Sequence, residues 1–369
     1  MIYLDHGATS FPKPLAVRRA VNGAMGRCAN PGRGGYPAAM AASEQVYRCR
    51  EAAADLFFCR PEQVVLTASC THGLNMAIRS LVKPGRRVVI SGFEHNAVVR
   101  PLWALGADIQ VAGRRLFDWA DTLEAFEGAL DAGADAAVFT HVSNVFGYIL
   151  PVEQMARMCR ERNIPFVIDA AQSAGHMPLS MAALGADFIA MPGHKGLLGP
   201  QGTGILLCKA GGEPLLYGGT GSASLERTMP SELPERLEAG TMNVPGIAGL
   251  TRGMELVKSL DVARIGRWEQ MLSRRCAAGL EAMGMQVFRG EHQAGTVSFR
   301  AGVDCEQLAS LLARQGIALR AGLHCAPLAH ESAGTVQTGT VRVSFGSSST
   351  LPQLEAFLRK ASKFPGFLK

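Results

Sequence analysis

Between about residue 60 and residue 210, short apolar runs rich in β-branched residues (QVVLT, RRVVIS, ADIQVA, AAVFTHVS, PFVIDAA, DFIAMP and TGILLC) alternate with stretches of helical periodicity. Such runs fit strands buried on both faces. Strands joined through helix-length connections pair in parallel, with the crossover helices covering the two sides of the sheet. The pattern predicts an α/β chain on a mostly parallel, doubly wound sheet. Ligands of such sheets gather beyond the carboxyl ends of the strands, so the residues just past each run are where chemistry is expected.

The rest of the chain reads differently. Residues 210–246 hold YGGTGSAS and LEAGTMNVPG, rich in Gly, Ser and Pro, and read as a loop and linker marking a seam between lobes. A long helical pattern over 247–284 then leads to GTVSFR, a helix near 304–315, IALRAG and TVRVSF. That is an α+β pattern on a second, smaller domain. The expected division is a large domain over 13–246 and a small one formed by 1–12 and 247–369. A chain of 369 residues with 47% hydrophobic and 18% charged residues has enough apolar material for both.

Composition narrows the function. The formal charge of +6 comes from dispersed Lys and Arg residues, which disfavours nucleic acid and leaves room for a small anionic ligand. MIYLDHGATSFPKP lacks a basic segment followed by an apolar stretch, and no apolar run reaches the roughly 18 residues of a membrane helix. A soluble, cytoplasmic protein is expected. The nine cysteines form neither CxxC nor a zinc-like cluster, so no metal site is expected and most should be small buried hydrophobes in a reduced protein.

Five segments place reactive side chains after strands. IAMPGHKGLLGPQGTG puts Lys195 in a glycine-rich loop where backbone can approach a ligand closely. PFVIDAAQS ends a strand on Asp169, with Gln172 in the turn beyond it. LTASCTHGLNMAI opens a helix near Thr71, whose N–H groups suit a phosphate. SGFEHNAVV carries His95, an imidazole able to stack on a planar ring or move protons. ALRAGLHCAPLAH sets Cys325 near His324 and His330, electropositive neighbours that favour a nucleophilic thiolate. Singly, each has a plain structural reading: a surface lysine, two helix caps, a core histidine, an inert cysteine. Jointly, a carboxylate and a lysine at neighbouring strand ends match the way proteins hold pyridoxal 5'-phosphate (PLP), with aspartate on the ring nitrogen and lysine on the aldehyde.

The segments YLDHGATSFPKP, NPGRGG, THGLN, EHNAVV, HVSNVFG, VIDAAQS, GHKGLLGPQGTG, EAGTMN and RAGLHCAP, in this order, span nearly the whole chain. Together they resemble class V aminotransferase-fold enzymes, specifically the cysteine desulfurases of the selenocysteine-lyase-like branch. The resemblance implies PLP fold type I, Lys195 bonded to the cofactor, Asp169 on the ring nitrogen, Gln172 on the phenolic oxygen and His95 stacked on the ring. It further implies Thr71 and His194 on the phosphate, with Thr241 reaching the site from the partner subunit of a homodimer. Asn144 and Arg342 would hold the substrate carboxylate, Arg342 through a two-pronged pair. Cys325 would accept sulfur.

Four places depart from the family pattern. Pro192 stands where a Ser or Thr normally helps to bind phosphate, Leu323 replaces a histidine before the cysteine, Tyr36 replaces a histidine in RGGY, and DHGAT replaces DNAAT. The expected reaction converts L-cysteine to L-alanine, leaving a persulfide on Cys325 for an acceptor protein. Selenocysteine lysis or transamination on the same scaffold is the alternative, because fold does not fix function. A third reading is a non-catalytic interaction protein that keeps the fold.

Overall fold

After a two-residue strand β1 (Ile2–Tyr3), each expected run forms a strand: β2 (Val64–Thr67), β3 (Arg87–Ser91), β4 (Asp108–Ala112), β5 (Ala136–Thr140), β6 (Phe166–Asp169), β7 (Phe188–Pro192) and β8 (Gly204–Cys208). They make one seven-stranded sheet in the order β2-β8-β7-β6-β5-β3-β4. The pairs from β7 to β4 are parallel, whereas β8 runs antiparallel to both β7 and β2. β5 to β8 are buried at every position, as strands covered on both faces must be. This computed structural model describes residues 1–32, 34–222, 224–364 and 366, so Arg33 of NPGRGG and Ala223 of YGGTGSAS lie outside the described residues.

A second sheet, in the order β12-β13-β10-β9, is antiparallel throughout and is built from β9 (Gln286–Phe288), β10 (Thr296–Arg300), β12 (Arg320–Gly322) and β13 (Thr340–Ser344). Its apolar face packs Val297, Phe299, Val341 and Val343 against Leu272, Leu280, Leu354 and Phe357 in a core of its own. β1 pairs in parallel with β11 (Ile317–Ala318), so the first residues of the chain lie with the second sheet.

The expected helical pattern needs correction, and we propose that the segment expected as a seam, 210–246, belongs with the large sheet. Leu237 joins the core under the large sheet, and Glu238 forms a doubly bonded ion pair with Arg50 while accepting the Leu66 N–H on β2. A loop with so few apolar residues is held by polar ties that periodicity does not reveal. The helical pattern beyond it is two helices, Val244–Leu260 and Val262–Ala282, broken at Asp261, whose φ of +67° ends one helix while its carboxylate caps the next. The first packs Ile247, Leu250 and Met254 into the core of the large sheet. We therefore propose that the two units divide after Leu260 rather than at residue 246.

Candidate active site

The carboxyl ends of β5, β6 and β7 open onto a cavity of about 240 Å3, walled on its far side by the second sheet. Thr71, His95, Asn144, Asp169, Gln172, His194, Lys195 and Arg342, from segments spread over most of the chain, all line it. Doubly wound topology accounts for most of this convergence, because the loops after the large sheet's strands leave the same edge, while Arg342 comes from β13 of the second sheet.

Lys195 follows β7 in a loop pinned across its base by the Gly193 N–H on the Thr203 carbonyl (2.8 Å). Desolvation lowers its pKa, Asp169 opposing, so the amine is more easily neutral than a free lysine. Asp169 ends β6, 2% exposed, and its Oδ1 accepts the Ala171 N–H at 2.8 Å. Burial raises its pKa, and the nearby Lys195 works against that rise. His95 caps the helix Asn96–Ala104: its Nδ1 accepts the Ala97 N–H at 3.0 Å, which leaves its ring proton on Nε2. Burial and the surrounding cations push His95 down to about 4, so it is neutral. Thr71 is exposed in the first turn of the helix Cys70–Leu81, where N–H groups lack intrahelical acceptors.

Arg342, on β13, is 1% exposed and already engaged. One terminal nitrogen pairs with Asp5 (2.7 Å), the other donates to the Asn144 carbonyl (2.9 Å), and Nε is buried without a partner. A guanidinium has five N–H groups, so three remain for a ligand. Gly7 permits this packing: a Cβ there would lie 3.2 Å from the guanidinium carbon. The glycine of DHGAT thus has a steric reason. Asn144 gives its amide to the His324 carbonyl (2.8 Å), and Gln172 gives its own to the Gly7 carbonyl (3.0 Å).

Cys325 is the exposed one of the nine free thiols. It stands just past β12 on strained backbone: His324 and Cys325 have φ of +50° and +59°, a conformation unusual for residues with a Cβ. The Cys325 carbonyl accepts the Asn96 N–H at 2.8 Å, tying the loop to the His95 helix. The expected electropositive histidines are a misreading. Burial holds His330 at about 4 and His324 at about 2, so both are neutral, and the cation beside the thiol is Arg320, 3.8 Å from Sγ.

Thr241 does not line this cavity within one chain. It is exposed in two clefts beside the Arg50–Glu238 pair. Sequence reasoning missed four residues the structure brings in. Asp5 and Arg320 are visible as charges within the YLDHGATSFPKP and ALRAGLHCAPLAH segments. Glu94 is fully buried beside His95, bonded to Ser91 and to the Thr140 N–H (2.9 Å), and burial lifts it to about 8. Cys70 lines the cavity with Sγ 3.6 Å from Asp169. A carboxyl and a thiol next to the residues singled out give no signal of their own until folding shows what they face.

A lysine, a buried aspartate and a buried arginine around one cavity, on a parallel sheet with an antiparallel β8, define a class of fold, and residues 2–357 match the class V aminotransferase family. Curated relatives called "Probable cysteine desulfurase" are 31% identical to this chain in Methanothermobacter thermautotrophicus (96% of this chain and 92% of that protein) and 31% in Pyrococcus abyssi (97% and 92%). Among solved structures, the apo cysteine desulfurase of Thermococcus onnurineus superposes with a TM-score of 0.89 at 31% identity, covering 98% of this chain and 94% of that one. The Escherichia coli cysteine desulfurase CsdA, in an S-sulfonic acid form, gives 0.87 at 27% identity with the same coverage. The chain belongs to the class V aminotransferase family and, within it, to the cysteine desulfurases. Among the described residues no helix is long and apolar enough to cross a membrane.

Proposed function

We propose that this protein is a PLP-dependent cysteine desulfurase that converts L-cysteine to L-alanine and stores the sulfur as a persulfide on Cys325. The observation that carries this reading is the convergence of Lys195, Asp169 and Arg342 on one cavity whose wall, at Arg320, reaches the exposed thiol. The residues fit the cofactor. The buried Asp169 carboxylate would pair with its ring nitrogen, Lys195 with its aldehyde, Gln172 with its phenolic oxygen, and His95 would cover its ring. Pro192 lines the cavity without a hydroxyl or an N–H, so the phosphate would rest on His194, Thr71 and the first N–H groups of the Thr71 helix. Thr241 of a second copy would complete that site in a homodimer.

Bound there, PLP supplies an aldehyde for amines and a cationic ring that draws electrons from the substrate Cα. Arg342 and Asn144 orient the substrate carboxylate. Lys195, made less basic by burial, takes the Cα proton, while Asp169 holds the proton of the ring nitrogen. The Cys325 thiolate then attacks the substrate sulfur: an S–S bond forms, the Cβ–S bond breaks, and the carbon keeps the electron pair. His95, whose ring proton is left on Nε2, would give that carbon its proton. Alanine leaves and the persulfide awaits an acceptor, which the exposure of Cys325 allows to be a protein. The short, tied loop brings the acceptor to the cavity mouth, because Cys325 has little reach of its own.

The test is alanine release from L-cysteine, with L-selenocysteine in parallel, by PLP-loaded protein and Cys325→Ala. Alanine from cysteine that disappears in the variant is the expected result. Alanine from selenocysteine alone, or unchanged turnover of cysteine by the variant, overturns the persulfide route.

A further inference from the structure

Behind Lys195, on the side away from the substrate cavity, lies a second, much smaller cavity of about 40 Å3. Lys195 lines both, so this residue stands in the partition between them. The small cavity reaches the surface, and polar side chains are set into a lining that is otherwise mostly apolar. Its inner wall holds Lys195, His6, His176 and Glu269, and its outer wall includes Pro12 and Ser348, both exposed. Glu269, on the helix Val262–Ala282, is 2% exposed. One of its oxygens pairs with His176 Nδ1 at 2.7 Å, and the other, Oε1, has no partner although it is buried.

An unsatisfied carboxylate oxygen is expensive to bury, and a space of this size with Glu269, His176, His6 and Ser347 on its lining can hold a water, which needs only about 10–15 Å3. The desulfuration chemistry uses neither His176 nor Glu269. Gly295 lets Glu269 pack where it does, since a Cβ at 295 would lie 2.6 Å from the glutamate Cβ. The orphaned oxygen, the buried ion pair, the cavity that encloses them and its opening to solvent are separate observations with one account.

We propose that this rear cavity is a water-filled proton path by which Lys195 exchanges its proton with solvent, with Glu269 and His176 as the positioning residues that orient the water. The proposal rests on Lys195 taking the substrate Cα proton. The Lys195 ammonium gives one proton to the nearest water, which passes one of its own outward, and the amine is neutral again. Reprotonation runs the same steps in reverse. The Glu269 carboxylate accepts a hydrogen bond from the water and keeps its charge throughout. No oxidant or second substrate is involved.

Two measurements test this. The first is a high-resolution crystal structure of cofactor-free protein and of Glu269→Gln. The proposal requires ordered water bonded to Glu269 Oε1 in the rear cavity, and a dry cavity overturns it. The second follows deuterium from L-cysteine labelled at Cα in ordinary water. Wild-type protein should lose most of the label to solvent. Ser347→Val, which narrows the channel without touching a charged group, and Glu269→Gln should each raise the fraction carried into alanine at least threefold. Equal label loss in wild type and in both variants, each binding cofactor and turning over, overturns the proposal. If even the wild type forms no alanine, the desulfurase reading fails, and the crystallographic water decides the rear path by itself.

Discussion

Lys195 and Asp169 stand just past or at the ends of interior strands, on backbone fixed by a paired strand on each side and buried on both faces. Cys325 hangs from the short strand β12, on left-handed backbone, and is tied down by the Asn96 N–H on its own carbonyl and the Asn144 amide on that of His324. One half of the site is positioned by the core of a sheet and the other by a few bonds across a gap. The first suits a group that must hold still. The second suits a thiol that must meet a substrate inside and an acceptor outside.

Substitution at the two centres separates the halves most sharply. Lys195→Ala should cut alanine formation about a thousandfold or more and abolish the visible absorbance of bound cofactor. Cys325→Ala should stop sulfur transfer equally completely yet keep that absorbance, with stability changed by less than about 0.5 kcal/mol as for an exposed residue. A Cys325→Ala protein that loses cofactor would break the comparison, since the halves would then not be independent.

Acid should act on both halves together. Burial holds His6, His95, His141, His194 and His330 at about 4 and His324 at about 2, against 6.5 for a free imidazole. These groups fold neutral, so their contribution is complete above pH 6.5 and is lost as pH falls toward 4. Glu94, raised to about 8, works the other way over pH 4.5–8, and Asp169, Glu238 and His176, also raised, act in the same sense, four groups against the six imidazoles. Thermal midpoints measured from pH 7.5 down to 4.5 should therefore fall below pH 6.5. A flat profile would mean that these imidazoles are solvated. Glu94→Gln should remove one opposing contribution and steepen the decline.

The smallest effect falls where the halves meet. Asp5→Asn leaves the Arg342 charge buried with a weaker partner, at a cost of about 2 kcal/mol. Denaturant titration measures that loss. KM for cysteine should rise more than kcat falls, and the reverse split would mean that Asp5 acts on the chemistry rather than on carboxylate binding.

The large sheet was legible because its signal is local: each strand is a short apolar run, and the residues at its carboxyl end face the ligand. Lys195, Asp169, His95 and Thr71 could be singled out for that reason. Roles for Gln172, His194, Asn144, Arg342 and Thr241 came only through resemblance to a family. Arg342 lies inside TVRVSF as the one charged letter of a buried strand, and nothing near it in the chain names Asp5 as its partner. The charge state of His324 and His330 was misjudged because burial decides it, and burial is a property of the fold. Glu238 shows the same limit: a loop of Gly, Ser and Pro read as a linker, and one buried ion pair made it part of the sheet.

The placement of the thiols bears on how the protein handles its own product. Persulfide sulfur passes readily between thiolates, and a chain with nine cysteines offers it many wrong destinations. Cys49, Cys70, Cys159, Cys208, Cys276 and Cys305 are buried, and burial keeps each of them protonated well above neutral pH. Half-buried Cys59 is raised to about 11 for the same reason. The core thus insulates these thiols from the sulfur made at the surface, and a limiting dose of a thiol reagent should mark Cys325 before any of them.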